Sequence, residues 1–167
     1  MNLEQDIKQL ASNALKNKKA HQKLITELKK LKPFDVDELF HTQHEEVFAE
    51  TDCLQCANCC KTTPPLLLNE DINRISKALN IPVKRMMVEY VVRDAEGDLV
   101  FNQTPCPFLG KDNYCTIYDV RPNACREYPH TNRKKMHHIL DLTVTNAGIC
   151  PAVVKILDNI QATLLSD

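Results

Sequence analysis

Glycine is scarce in this chain: of 167 residues only Gly97, Gly110 and Gly148 are glycine. Loops that cradle phosphates need several glycines, because the backbone must approach the ligand without a Cβ in the way. Neither G-x-G-x-x-G nor G-x-x-x-x-G-K-[ST] occurs, which argues against a nucleotide or dinucleotide site of the usual kind. Charge of one sign is lacking too. The formal net charge is −1, so no overall field favours nucleic acid or a membrane surface, and neither partner is expected. No apolar run approaches the roughly 18 to 20 residues of a membrane span. The N-terminus, MNLEQDIKQLASNALKNKK, carries acids early and has no continuous apolar stretch, so it does not read as a signal peptide. Trp is absent, yet the hydrophobic fraction of 43% and charged fraction of 26% are ordinary for a globular protein. No Ser–His–Asp signature, internal repeat or low-complexity segment can be read.

A cytoplasmic protein is therefore expected, and cytosolic thiols stay reduced. That bears on the eight cysteines, about 5% of the chain, a density below the ~8–10% of short disulfide scaffolds. Metal ligation is the leading explanation for them.

The first thirty residues read as one long helix. Leu3, Ile7, Leu10, Ala14, Asn17, His21, Leu24, Leu28 and Leu31 follow alternating steps of four and three, a heptad seam with polar Asn17 and His21 in its middle. Lys32-Pro33 ends it. A second helix is expected from about Asp35 to Glu50, with Val36, Leu39, Phe40 and Val47 on one side, and the pair reads as a helical hairpin. Residues 1–34 hold eight Lys against three acids, whereas residues 35–52 hold seven acids and no Lys or Arg. Such opposed blocks fit two segments that pack on each other, a dipolar surface, or simply two solvated faces.

Beyond the first cysteines, Leu66-Leu67-Leu68 reads as a short buried strand or turn. Asn69 reads as the cap of a helix with Ile72, Ile75 and Leu79 inward. Another helix is expected from Pro82 to about Val92, a strand from Gly97 to Phe101, and a short helix around Arg121 to Tyr128. RKKMHH reads as a loop or hairpin turn. HILDLTVTN alternates, with Leu140, Leu142 and Val144 on one face, and reads as a strand. An amphipathic helix is expected to start at Pro151. The fold class is mainly α with a small β-sheet (α+β). Two domains are expected, a helical hairpin at 1–50 and a metal-stapled cysteine region at 51–167, with the option that both form one unit.

The chemistry lies in CLQCANCC, where Cys53, Cys56, Cys59 and Cys60 fall within eight residues. Thiolates three residues apart can grip one metal from a single tight turn. The C-x-x-C-x-x-C run is the ferredoxin way of holding three irons of a 4Fe–4S cube, and a remote cysteine followed by Pro commonly takes the fourth. Two such pairs are present, Cys106-Pro107 and Cys150-Pro151; Cys115 and Cys125 complete the eight. Cys60 disturbs the match. In a helix Cys53, Cys56 and Cys60 share a face, so either Cys59 or Cys60 serves as third ligand. Zinc competes, but four-thiolate zinc sites usually draw on two C-x-x-C knuckles, and the later cysteines are single. The spacing tilts towards the cluster and leaves zinc open. Lys61, Arg121 and Arg126 are the cations placed to offset thiolate charge. Arg121, Arg126 and Tyr118 are read as residues near the cofactor. His130, His137 and His138 are candidate ligands, as are His41 and His44 beside Glu45, but packing roles are favoured for all. Arg133-Lys134-Lys135 is too short a basic run to argue nucleic-acid binding.

Taken in order, CLQCANCC, PCPFL and CTIYDVRPNACREYP resemble the YkgJ-type cysteine-cluster family, a CxxCxxCC domain that chelates zinc or iron. The resemblance spans about Thr51 to Pro151 and leaves the helical hairpin outside. It implies that Cys53, Cys56, Cys59, Cys60, Cys106, Cys115 and Cys125 are cluster residues. Tyr118, Arg121, Pro122, Arg126, Tyr128 and Pro129 come over as motif companions without an assigned role. The family usually has Gly after its second cluster cysteine, where this chain has Ala57. It is similar at a distance to flagellin lysine N-methylases, which implies methyl transfer or redox chemistry, although no separate methyl-donor domain can be read here. Three functions follow: a protein that holds zinc or iron through its thiolates, an iron–sulfur enzyme of redox or methyl-transfer type, and a zinc-stapled interaction module that binds a protein partner through residues 1–31. Whether the protein is an enzyme stays open at this point.

Overall fold

The computed structural model describes residues 3–166, apart from the side chains of residues 3, 4, 11–16 and 166. The seam positions Leu3 and Ala14 thus lie outside the described residues. The chain is mainly helical with one two-stranded antiparallel sheet. It divides into two units. One joins the residues up to Asp52 with those from Pro129 onward; the other runs from Cys53 to Tyr128. Among the described residues no helix is long and apolar enough to cross a membrane.

The helical unit contains α1 (Leu3–Leu28), α2 (Pro33–Ala49), α8 (Leu140–Ala147) and α9 (Pro151–Ser166). Its organiser is α9. Ala152, Ile156 and Ile160 recur every fourth residue, and Val153 and Leu157 widen the stripe; all five are buried. A stripe that wide can take helices on several sides, and α9 packs on α1, α2 and α8. Leu24, Ile25 and Leu28 come from α1, Val36, Phe40 and Val47 from α2, and Leu140, Val144 and Ala147 from α8. The second half of the α1 seam is therefore covered by the chain's own core. His21 within it is 1% exposed, and its Nε2 lies 3.3 Å from Asp158 Oδ1 on α9. The opposed charge blocks find partners elsewhere: Lys29 pairs with Asp141 at 2.9 Å and Glu50 with Lys155 at 3.4 Å.

Residues 140–147 form a helix where the alternation predicts a strand. Leu140, Thr143, Val144 and Ala147 are buried, a spacing of three and four, while Leu142 stays 44% exposed. Thr143 Oγ1 donates to Ile139 O at 3.0 Å, satisfying the hydroxyl inside the helix. Helical burial against α1 and α9 outweighs the β-propensity of the Leu, Thr and Val residues.

The segment before α8 is fastened by one face of α2. Asp37 accepts from the backbone N–H of Lys135 and of Met136, at 2.8 and 2.7 Å. His41 Nε2 donates to Arg133 O at 2.9 Å, and His44 Nδ1 lies 2.8 Å from Thr131 Oγ1. Steps of four and three along α2 place these three side chains in a row.

The cysteine-rich unit contains α3 (Cys53–Cys56), α4 (Asn58–Thr62), α5 (Asn69–Ala78), α6 (Val83–Tyr90), β1 (Val91–Arg93), β2 (Leu99–Phe101) and α7 (Asn123–Glu127). Helix α6 stops at Tyr90, short of the expected Val92, because Val91 is already extended and opens β1. The register pairs Val91 with Phe101, Val92 with Val100 and Arg93 with Leu99. Leu67 N donates to Leu99 O at 2.7 Å, so the Leu66–Leu68 stretch lies beside β2. Leu67, Ile72, Ile75, Met86, Phe101, Phe108 and Ile117 make the core, and Cys106 and Cys115 pack against it. Phe108 is central, with ring centroids 5.1 Å from Tyr90 and 5.2 Å from Phe101.

Two phenylalanines close together on α2 separate core from surface. Phe40 is fully buried and Phe34 is 71% exposed. Phe40→Ala is expected to cost about 3–5 kcal/mol, and Phe34→Ala at most about 0.5 kcal/mol. Denaturant unfolding of the two variants measures the difference, and equal losses would contradict this core.

Candidate metal centre

CLQCANCC folds as two short helical turns with a break between them. Ala57 takes the left-handed conformation, φ 48° and ψ 17°, and is buried. Its N–H reaches Cys53 O at 2.9 Å, and its own carbonyl accepts from Lys61 N at 3.1 Å. The break sets Cys53 and Cys56 on one turn and Cys59 and Cys60 on the next. This is the position where the sequence pattern favours Gly, and the reason is conformational, since a Cβ in this region costs about 1–2 kcal/mol.

The later cysteines are brought to α4 by backbone bonds. Cys106 N donates to Cys60 O at 2.8 Å. Leu109 and Cys115 then bridge in antiparallel fashion, closing a tight loop between Cys106 and Cys115. Gly110 N donates to Tyr114 O at 2.7 Å in this loop. A Cβ on Gly110 would meet that same carbonyl at 3.0 Å and the flexible Asp112 carboxylate closer still, so a larger residue would require the loop to shift. Asn113 Nδ2 donates to Gln55 O at 3.1 Å, which ties the loop to α3.

Cys125 is placed by α5. Asp71 is fully buried, and its carboxylate accepts from Leu68 N and from Asn123 N, each at 3.0 Å. Leu68, not the expected Asn69, is thus the capping position of α5. Arg74 pairs with Asp71 and also donates to Arg121 O at 2.8 Å and Val120 O at 3.4 Å. One guanidinium and one carboxylate together fasten residues 120–123, which lie between Cys115 and Cys125. No sequence motif marked Asp71 or Arg74. Their spacing of three on a helix was a usable signal, but only the buried face of α5 separates them from a surface pair.

Seven of the eight cysteines fall in this unit, all but Cys150. Cys60, Cys106, Cys115 and Cys125 are close enough for charge on one to act on the others. Burial pushes the Cys106 thiol up to about 11 and the Cys125 thiol up to about 12; negative charge on Cys60 and Cys115 adds to both. Burial raises Cys115 as well. Local donors oppose this, the backbone of Phe108 favouring the Cys106 thiolate and that of Ile117 the Cys115 thiolate. Cys60 differs: a hydrogen bond from Cys59 holds it down at about 7, with Lys61 helping. Among the described residues no group of three or more His, Cys, Asp or Glu side chains stands at metal-holding geometry. The thiols are neighbours with shared electrostatics, short of a closed coordination sphere. Cys150 belongs to the helical unit, where it packs against that unit's core at the start of α9.

Arg121 lies over the Tyr118 ring, 3.9 Å from its centroid, and donates to Tyr118 O at 2.7 Å. From there its charge lowers both the Cys115 and the Cys125 thiol against the effect of burial. Arg126 Nη2 donates to Asp119 O at 3.2 Å. The histidines at 41 and 44 are engaged with the 131–133 backbone and side chains described above, and the rings of His137 and His138 meet edge to face at 4.1 Å.

Thiols brought together by α4, the Cys106–Cys115 loop and α7 define a cysteine-cluster domain. Residues 52–146 match the model of the CxxCxxCC family, whose description is "Putative zinc- or iron-chelating domain". The match covers more than half of the chain, and the protein belongs to this family. No curated protein and no solved structure matches it.

Two expectations follow. In metal-free protein near pH 7, iodoacetamide should modify Cys60 well ahead of Cys106 and Cys125, because Cys60 is held down at about 7 while burial pushes the other two up. Mass spectrometry of the alkylated peptides checks the order; uniform labelling would contradict it. Ala57→Gly should leave stability within about 1 kcal/mol, whereas Ala57→Val should cost about 2 kcal/mol or more, as a β-branched residue tolerates a left-handed backbone worst. Thermal melts of both variants decide.

Proposed function

We propose that this is a metal-binding protein whose unit from Cys53 to Tyr128 holds zinc or iron through thiolates. Cys60, Cys106, Cys115 and Cys125 form the inner set, and Cys53, Cys56 and Cys59 offer donors from the adjoining turns. The reading assigns no ligand role to Cys150. The observation that carries it is the convergence of cysteine segments from separate parts of one unit, with Cys106 N bonded to Cys60 O and Leu109 bridged to Cys115.

Thiols held near 11 and 12 by burial and by one another do not ionise together unaided. A thiophilic cation reverses that balance, because ligation and deprotonation are one event. The donor set suits such an ion: soft sulfur, backbone N–H groups aimed at two of the thiols, and Arg121 to offset excess negative charge. A second assignment of donors takes Cys53, Cys56 and Cys59 with Cys106, and that C-x-x-C-x-x-C spacing with Cys106-Pro107 favours a 4Fe–4S cluster over zinc. A bound zinc would supply folding energy; a cluster would supply electron transfer as well.

Elemental analysis of anaerobically isolated protein tests the reading. Brown protein with iron and sulfide identifies the cluster, and colourless protein with zinc identifies the structural ion. Protein that carries neither, and takes up neither on reconstitution, would overturn it. Cys125→Ser is expected to lose metal and to melt earlier, since metal binding and folding are coupled; unchanged metal content and melting temperature would count against the assignment.

A further inference from the structure

The Asp71–Arg74 pair does more than close α5. Besides Leu68 N, its backbone partners are Asn123 N, Val120 O and Arg121 O, and these three lie in the short segment that separates Cys115 from Cys125. The pair thus acts on the span between two thiols without touching either. It also fixes the backbone of Arg121, whose side chain is set over Tyr118 beside those thiols. Asp71 has no exposure, so its bonds are not in competition with water.

We propose that Asp71 and Arg74 are positioning residues for the thiolate centre, holding residues 120–123 so that Cys115 and Cys125 stand ready for one metal ion before it arrives. The proposal rests on the thiolate reading above. Preorganised donors bind more tightly because the chain need not be ordered at the moment of binding. Groups that orient ligands without touching the metal commonly account for about 10- to 100-fold in affinity.

Two substitutions separate positioning from mere stability. Arg74→Lys keeps the charge beside Asp71 but loses the planar fork that reaches a carboxylate and two carbonyls at once. Asn123→Pro removes the N–H given to Asp71, together with the Asn carboxamide, and leaves Asp71 and Arg74 themselves unchanged. Asn123 is the first residue of α7, where Pro is well tolerated, and Pro122 before it is already extended, with φ −51° and ψ 148°. The full-length, metal-stripped chains are titrated with Co²⁺ and then competed with Zn²⁺, alongside circular dichroism and melting of the apoproteins. Arg74→Lys should weaken Zn²⁺ binding by about tenfold or more, with altered Co²⁺–thiolate bands and native helix content. Asn123→Pro should weaken it less but measurably. If Arg74→Lys does not fold, Asn123→Pro decides alone. Zn²⁺ affinity and Co²⁺ spectra equal to wild type in every folded variant would overturn the positioning role. Cys125→Ser run in parallel distinguishes the two failures: if it too binds Zn²⁺ like wild type, the thiolate reading falls, and if it alone loses Zn²⁺, only the positioning role falls.

Discussion

Burying a carboxylate is costly unless its oxygens are fully engaged, and Asp71 meets that condition with two backbone N–H groups and the Arg74 guanidinium. Each of these partners belongs to a different piece of the unit. Leu68 leads into α5, Arg74 lies within it, and Asn123 opens α7 about fifty residues later in the chain. Through Arg74 the same constraint extends to the carbonyls of Val120 and Arg121. A short polypeptide with little regular structure between residues 102 and 122 would otherwise have few reasons to return to one place. The buried ion pair supplies that reason, and the position of Cys125 follows from it.

The other cysteine segments rely on weaker but numerous backbone constraints. The left-handed Ala57 separates the two turns of CLQCANCC, the Cys106 amide bonds to the Cys60 carbonyl, and Gly110 lets the loop to Cys115 close. All three devices act on the backbone. The resulting electrostatics are uneven: Cys60 is held as a thiolate near neutrality, while Cys106 and Cys125 are held as thiols.

Much of this could be read from the residues in a row. The spacing of Cys53, Cys56, Cys59 and Cys60 announces metal chemistry, and the family match over residues 52–146 agrees with it. The mainly helical class with a small sheet was also readable, as were α1, α2, α5 and α9, because each carries a sustained apolar period. Residues 140–147 were misleading for a physical reason. Over eight residues the same apolar positions satisfy a period of two as well as one of 3.6, and packing against α1 and α9 selected the helix.

By itself the sequence determined which atoms are available for chemistry: soft sulfur donors, little glycine, no basic excess and no long apolar run. These are properties of composition and spacing, and folding does not alter them. Only the tertiary structure decided the company those atoms keep. It brought four thiols within electrostatic reach of one another, set Cys150 against the helical core and tied Asp71 and Arg74 to residues 120–123, because burial and long-range hydrogen bonds join residues whose separation along the chain carries no signal.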